Sequence, residues 1–206
     1  MKEMWEARFR EEGFAYGSAP NEFFQRQIDP LPPEGKLLMG AEGEGRNAVY
    51  AATRGWEVHA FDIAQSARKK AEDLAASAGV TLDYRVGELP DLGYTPESFA
   101  VIGLVYAHFP PPILSSYHQI LAGLLRPGGH LILEAFSTTH LPFRAANPAV
   151  GGPNRLDMLL DEAMIRTDFA GIEPLLLEDA KVTLAEGKFH NGTGKVLRFV
   201  GRKPMP

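Results

Sequence analysis

From residue 36 to residue 136, short apolar runs alternate with amphipathic stretches, and this constrains the fold more than any other feature of the chain. The pattern predicts strands at 36–41, 57–62, 80–86, 99–106 and 129–136, with helices at 46–54, 64–78 and 111–125 between them. Parallel strands need a crossover that packs back on the sheet. Strands and helices alternating this regularly therefore predict an α/β domain of three layers, with a mainly parallel sheet covered on both faces. Upstream, residues 2–12 read as a charged amphipathic helix with Trp5 and Phe9 on one face. "YGSAPNEFF" (16–24) reads as a turn and a short helix N-capped by Asn21, and "DPLPPEG" (29–35) as the connector that stops it. Downstream the character changes. Residues 137–154 read as a long turn-rich loop and 155–169 as one helix. "EPLLLEDAKVTLAEG" and "GKVLRFVGRK" then read as long strands joined through "KFHNGT", so the sheet ends in an antiparallel pair.

At 206 residues the chain is long enough for one domain with a sizeable core and short for two. Its net charge of −5 argues against general nucleic-acid affinity, which needs clustered Lys and Arg. The densest basic cluster, Arg68, Lys69 and Lys70, reads as a solvated helix face. With no cysteine there is no disulfide framework, thiolate zinc site or cysteine nucleophile, and the six histidines show no metal-ligand spacing. No run of eighteen apolar residues and no signal-peptide-like stretch occurs, so the expectation is a cytoplasmic protein without membrane contact.

"LLMGAEGEGRNAVY" (37–50) places an apolar run before two spaced glycines and a helix, and GEGRNA from Gly43 matches the G-x-G-x-x-G/A fingerprint of dinucleotide-binding folds. Glu42 and Glu44, however, flank the glycine where a pyrophosphate would sit, and a carboxylate opposes a phosphate there. S-adenosylmethionine carries no phosphate; its sulfonium and ammonium are positive and tolerate acids. Asp62, ending "VHAFD" nineteen residues after Gly43, can accept hydrogen bonds from ribose hydroxyls. That feature fits NAD as well as S-adenosylmethionine.

Taken together, FAYGSAPNEFF, AEGEGRNAVY, VHAFD, AHFPP, LLRPGG (124–129), HLILEAFS, a late GGP and the terminal EG-x-FHNG-x-GKV resemble a class I S-adenosylmethionine-dependent methyltransferase. More closely, the chain resembles the small bacterial branch near the tellurite-resistance and thiopurine methyltransferases. The resemblance runs over essentially the whole chain. It implies a Rossmann-like methyltransferase fold with a seven-stranded sheet of order 3-2-1-4-5-7-6, strand 7 antiparallel. Within one domain (1–206) it implies a helical lid over the cofactor at 1–30 and a cofactor-binding core at 36–136. An acceptor-side loop and helix follow at 137–170, then the terminal strands at 171–206. It implies S-adenosyl-L-methionine as cofactor, a small-molecule methyl acceptor as partner, and a monomer or weak homodimer. The sequence departs from the family loop in two places: Met39 fills the usual acidic position and Ala41 the first glycine, leaving Glu42 or Glu44 as the available substitutes. The usual Asp of the fourth strand is also missing from "SFAVIGLVY".

The candidate cofactor residues are then Ala41, Glu42, Gly43, Gly45 and Asn47 in the loop and helix entry, and Asp62 and Ile63 after the second strand. Glu88 is placed beside the adenine, Leu89 offers a backbone N–H, and Leu104 and Val105 line the site from the fourth strand. Tyr16, Gly17 and Asn21 belong to the lid. Against these stand plainer readings: Asp62 as a helix cap, Glu88 as a solvated loop acid, Leu104 and Val105 as core. His108 in "VYAHFPPP" follows the fourth strand and is the candidate general base, since histidine titrates nearest neutral pH; the plainer reading is a packing or capping histidine. Glu134 and Phe136 end the fifth strand, where acceptor pockets form, Phe136 reading equally as core. His190 in the hairpin could reach the same pocket, a surface position being the plainer reading, and Met158 and Met164 read as helix packing. Two rival functions stay open: a non-catalytic module that binds the cofactor, and an NAD-dependent oxidoreductase.

Overall fold

The computed structural model describes all 206 residues. Its elements in chain order are α1 (Lys2–Arg10), α2 (Glu22–Ile28), β1 (Lys36–Gly40), α3 (Arg46–Thr53), β2 (Glu57–Asp62), α4 (Gln65–Ser77) and β3 (Asp83–Val86). Then come β4 (Phe99–Val105), α5 (Pro111–Leu124), β5 (Leu125–Phe136), α6 (Leu141–Ala146), α7 (Glu162–Asp168), β6 (Glu173–Glu186) and β7 (His190–Arg202). The strands form one seven-stranded sheet of order β3-β2-β1-β4-β5-β7-β6. Pairings among β1 to β5 are parallel, and β7 runs antiparallel to both β5 and β6. This is the topology that the motifs imply.

Side chains alternate across each strand, so neighbouring residues serve different faces. Leu37 and Met39 pack with Phe24, Ile28 and Ala71 beneath α2, α3 and α4. Leu38, Ile102, Leu104 and Leu133 pack on the other face with Leu121 of α5 and Ile165 of α7. Met39 is fully buried, and a Cβ on Gly103 would stand 2.5 Å from its sulfur and 3.0 Å from the Phe24 ring. An acid at Met39 would enter this apolar contact without a partner, a large desolvation cost. Glycine at 103 and methionine at 39 are therefore one packing solution.

Asn21 caps α2 as its sequence position suggests, its side chain accepting from the Phe24 N–H at 2.9 Å. Trp5 and Phe9 stack at 5.4 Å on one face of α1. The structure departs from expectation in the C-terminal third. Residues 137–154 are not an open loop: they hold α6 and two short 3-10 turns. The single helix expected at 155–169 is broken, because Asp161 caps α7 through the Met164 N–H and Leu160 bridges to Ser137 in extended form. The hairpin turn is also tighter, so His190 and Asn191 belong to β7.

Candidate active site

The glycine loop follows β1, and its two glutamates are already engaged by the chain. Glu42 turns its carboxylate onto the start of α3, where Oε1 accepts from the N–H groups of Asn47 at 2.7 Å and Ala48 at 2.8 Å. These are the free amides on which a phosphate would sit in a dinucleotide fold. Burial pushes the Glu42 carboxyl up to about 7, against the hydrogen bonds from Ala48 and Asn47 and the charge of Arg46. Glu44 faces the opposite way. It accepts from the Ala15 N–H at 2.7 Å and from Lys70 Nζ at 2.7 Å, fastening the N-terminal segment over the loop.

Lys70 also bonds the carbonyls of Glu11 and Gly13, so it is a tether and not part of a solvated face. Arg68 and Lys69 do lie on that face, in exposed pairs with Glu72 and Asp73. At Gly45 the backbone has a φ of +91°, and a Cβ would stand 2.6 Å from the Cβ of Ala71. Glycine there lets α3 and α4 meet. Ala41, at the family's first glycine position, keeps the left-handed backbone with a φ of 49°, a conformation costly for alanine.

Asp62 ends β2 and is buried. Its Oδ2 accepts from the Gly43 N–H at 3.0 Å and its Oδ1 from the Ala64 N–H at 3.0 Å. Burial raises its carboxyl to about 6 despite the bonds from Ala64, Gly43 and Ile63. The residue thus orders the Gly43 loop and the turn into α4, whose first amides, those of Gln65 and Ser66, go to Glu6 and not to Asp62, and it lies where the ribose reading also puts it. Beyond β3, Glu88 is exposed and accepts from the Tyr117 hydroxyl, while Leu89, Leu104 and Val105 are buried. Leu104 belongs to the α5-side core.

His108 does not sit as a base. Its Nδ1 is 3.1 Å from the Met158 carbonyl oxygen, and its Nε2 accepts from the Phe136 N–H at 3.4 Å. With the ring stacked 5.8 Å from Phe136 and burial holding it down to about 4, it has no free lone pair for an acceptor's proton. Its contacts are those of a packing histidine that ties β5 to the 156–158 turn.

His190, expected on the surface, is buried at 4% exposure. Its ring lies 4.5 Å from Tyr16, 4.5 Å from Tyr106 and 5.3 Å from Phe136, centroid to centroid. Its Nδ1 meets Glu186 Oε2 at 3.1 Å, and the same oxygen accepts from Arg46 at 3.0 Å. Glu186 Oε1 accepts from Asn21 at 3.1 Å. Asn21 also donates to Glu134 at 2.7 Å, and its own N–H goes to the Asn47 side chain. Glu134 further accepts from Tyr106 at 3.0 Å and Arg198 at 2.7 Å. This network joins the lid, the start of α3, the end of β5 and the hairpin. It borders a cavity of about 490 Å³ lined by Tyr16, Asn21, Arg46, Glu134, Glu186 and Arg198 among others, within the size range of small-molecule sites. Tyr106, directly after β4, holds a left-handed φ of 53°, a strained conformation of the kind that clusters at functional sites. Sequence reading singled out Tyr16, Asn21 and Glu134 but missed Arg46, Tyr106 and Glu186; the EG-x-FHNG motif was the available signal for Glu186 and His190.

The strand order, the loop after β1 and the acid ending β2 decide the architecture. The fold is that of the methyltransferases. Residues 38–129 match the family model described as a methyltransferase domain. No curated protein sequence matches the chain. Among solved structures, one protein studied for the conversion of a disulfide bond into a thioacetal group during echinomycin biosynthesis is similar over 99% of this chain and 92% of its own. It superposes with a TM-score of 0.79 at 17% identity. A SAM-dependent methyltransferase from Methanosarcina mazei is similar over 91% of this chain and all of its own, with a TM-score of 0.71 at 14% identity. The [4+2]-cyclase SpnF is similar over 94% of this chain and 88% of its own, with a TM-score of 0.68 at 15% identity. These likenesses are of fold, and the last shows the fold carrying a reaction other than methyl transfer. No helix is long and apolar enough to cross a membrane.

Proposed function

We propose that the chain is an S-adenosylmethionine-dependent methyltransferase acting on a small-molecule acceptor, of the small bacterial branch that its motifs resemble. The observation that carries the reading is the Glu42 carboxylate on the first amides of α3. It fills the place of a pyrophosphate with a buried carboxylate, so the site suits a nucleoside cofactor that is cationic and free of phosphate. The methyltransferase-domain match over 38–129 supports the same reading. Bound there, the cofactor would supply an electrophilic methyl group on a sulfonium. The chain would hold it with Asp62 and Ile63 near the ribose, Glu88 and Leu89 near the adenine, and Ala41, Gly43, Gly45, Asn47, Leu104 and Val105 along its length. Tyr16 and Asn21 close the lid and keep water out, which favours an aligned displacement. Alignment of this kind is worth roughly 7–11 kcal/mol, the largest contribution asked of the protein. Calorimetric titration tests the reading: S-adenosylhomocysteine should bind in the micromolar range and NADH should not compete. Tighter binding of NADH would overturn it. A non-catalytic cofactor-binding module is told apart by product formation over a panel of acceptors.

A further inference from the structure

The proposed chemistry leaves one requirement unmet. An unionised acceptor must lose a proton as it is methylated, and His108 has no free nitrogen to receive it. Three histidines meet carboxylates: His59 has one on each ring nitrogen, Asp83 and Glu57, while His118 pairs with Asp168 and His190 with Glu186 through Nδ1 alone. The last two differ in what the second ring nitrogen meets. His118 Nε2 is fully buried between α5 and α7 and has no partner, so it cannot reach a ligand. His190 Nε2 also has no partner within the chain, yet it is not among the atoms sealed from solvent. Gly151 of the Gly-Gly-Pro segment packs against the neighbouring edge of the ring, where a Cβ would come 2.7 Å from His190 Cδ2, so a larger residue there would press on the carbon bonded to Nε2.

The position fits as well. The His190 ring lies between Tyr16 of the lid and Tyr106, the residue that follows β4. The Glu186 carboxylate that holds Nδ1 borders the cavity. A carboxylate on Nδ1 fixes the proton there and leaves the Nε2 lone pair free, the arrangement of a histidine general base with its orienting acid.

Resting on the methyltransferase reading, we propose that His190 is the general base for a hydroxyl or other unionised acceptor, and that Glu186 positions it. As the acceptor atom bonds to the methyl carbon, the carbon–sulfur bond breaks and its electron pair stays on sulfur. The acceptor's proton passes to His190 Nε2 and from there to solvent. Burial holds the ring below the ordinary histidine range although Glu186 pulls the other way, so it is unprotonated and able to accept at neutral pH. The charged and titratable groups facing it are Glu186, Arg46, Arg8, Tyr16, Tyr106 and His108.

The test uses the full chain with S-adenosylmethionine and two probes at pH 8: 4-nitrothiophenol, which is ionised, and catechol, which is not. His190→Ala should lose about 10²–10⁴-fold in turnover of catechol. It should keep the rate for 4-nitrothiophenol to within a few-fold, with affinity for S-adenosylhomocysteine unchanged. Equal loss with both probes, or no loss with catechol, overturns the proposal. Independently of turnover, ¹⁵N spectra of the imidazoles with S-adenosylhomocysteine bound report the tautomer, the His190 signal being the one absent from His190→Gln. The Nδ1–H form is expected; a dominant Nε2–H form overturns the proposal even if the wild type turns over neither probe. Failure of S-adenosylhomocysteine to bind would instead remove the methyltransferase reading itself.

Discussion

Glu42, buried in the glycine loop, and Glu186, half-buried at the cavity, are held in opposite ways. In the glycine-loop region, Glu42 meets backbone amides five and six residues further along the chain. Burial prevails, and its carboxyl rises to about 7. In the hairpin region, burial also pushes Glu186 up, but His190 and Arg46, the latter 140 residues away in sequence, outweigh it and hold the carboxyl down to about 2. The loop region builds its site from local backbone dipoles, the hairpin region from formal charges brought together by the tertiary fold. A carboxylate held by amides alone keeps an unfavourable charge that a cationic ligand can relieve. One already paired with the Arg46 cation serves better to orient a neighbour.

The largest effect should come from breaking the local frame at Gly45. An alanine there would adopt a left-handed backbone, costing roughly 1–2 kcal/mol, and press into Ala71, costing about 1–3 kcal/mol more. Gly45→Ala should therefore lower the urea midpoint by the equivalent of about 2–5 kcal/mol at unchanged slope. A midpoint within error of wild type would mean that α3 and α4 do not need to approach there.

The contrast in titration predicts opposite pH dependences. Because the folded carboxyl of Glu42 lies above its unfolded value of 4.5, it contributes stability that is present below pH 4.5 and lost as pH rises to about 7. Glu186 contributes stability present above pH 4.5 and lost as pH falls toward about 2. Denaturation midpoints measured across pH should lose the neutral-side decline in Glu42→Gln and the acid-side decline in Glu186→Gln. The same slope in both variants would erase the distinction between the regions.

The two regions also differ in how much of them is legible in sequence, for the same reason. Strand β1 through strand β5 follow from apolar periodicity and turn residues within a few positions of each other. The Asn21 cap and the Asp62 position are local too. The burial of His190 depends on Tyr16, Tyr106 and Phe136, which lie far from it in the chain, and the Asn21–Glu134 bond spans 113 residues. No period within the hairpin carries that information, so a buried histidine looks like a surface one. His108 shows the converse: it follows β4 as a catalytic residue would, and the distant Met158 carbonyl and Phe136 N–H take up its two nitrogens. The break at 159–161 was readable in principle, since Asp161 stands three residues before Met164 as a capping residue should.

Asp62 tests whether a carboxylate held by amides still serves a ligand. Asp62→Ala should weaken S-adenosylhomocysteine binding by about 1.5–3 kcal/mol, the range for hydrogen bonds to a charged group. Affinity unchanged by calorimetry, with a lowered melting temperature, would leave Asp62 as an organiser of Gly43 and Ala64 only.

The smallest effect belongs to one of two adjacent lysines on α4, and the pair locates the border between the regions. Glu44 lies in the glycine loop but is held as Glu186 is, by a cation: Lys70 reaches it at 2.7 Å while the carboxylate is almost wholly buried. Removing the ammonium leaves Glu44 with the Ala15 amide alone and frees the carbonyls of Glu11 and Gly13. Lys70→Met should therefore cost about 1.5–3 kcal/mol and raise the protease sensitivity of residues 11–18. Lys69 pairs with Asp73 one turn along the same helix, both side chains largely in solvent. Such a pair gains little Coulomb energy in water and gives up side-chain freedom to form. Lys69→Met should leave the urea midpoint and the proteolysis pattern within error of wild type. Equal behaviour of the two variants would show that Glu44 does not depend on Lys70, and that the N-terminal segment is held over the loop by packing alone, chiefly by Phe9 against Gly43.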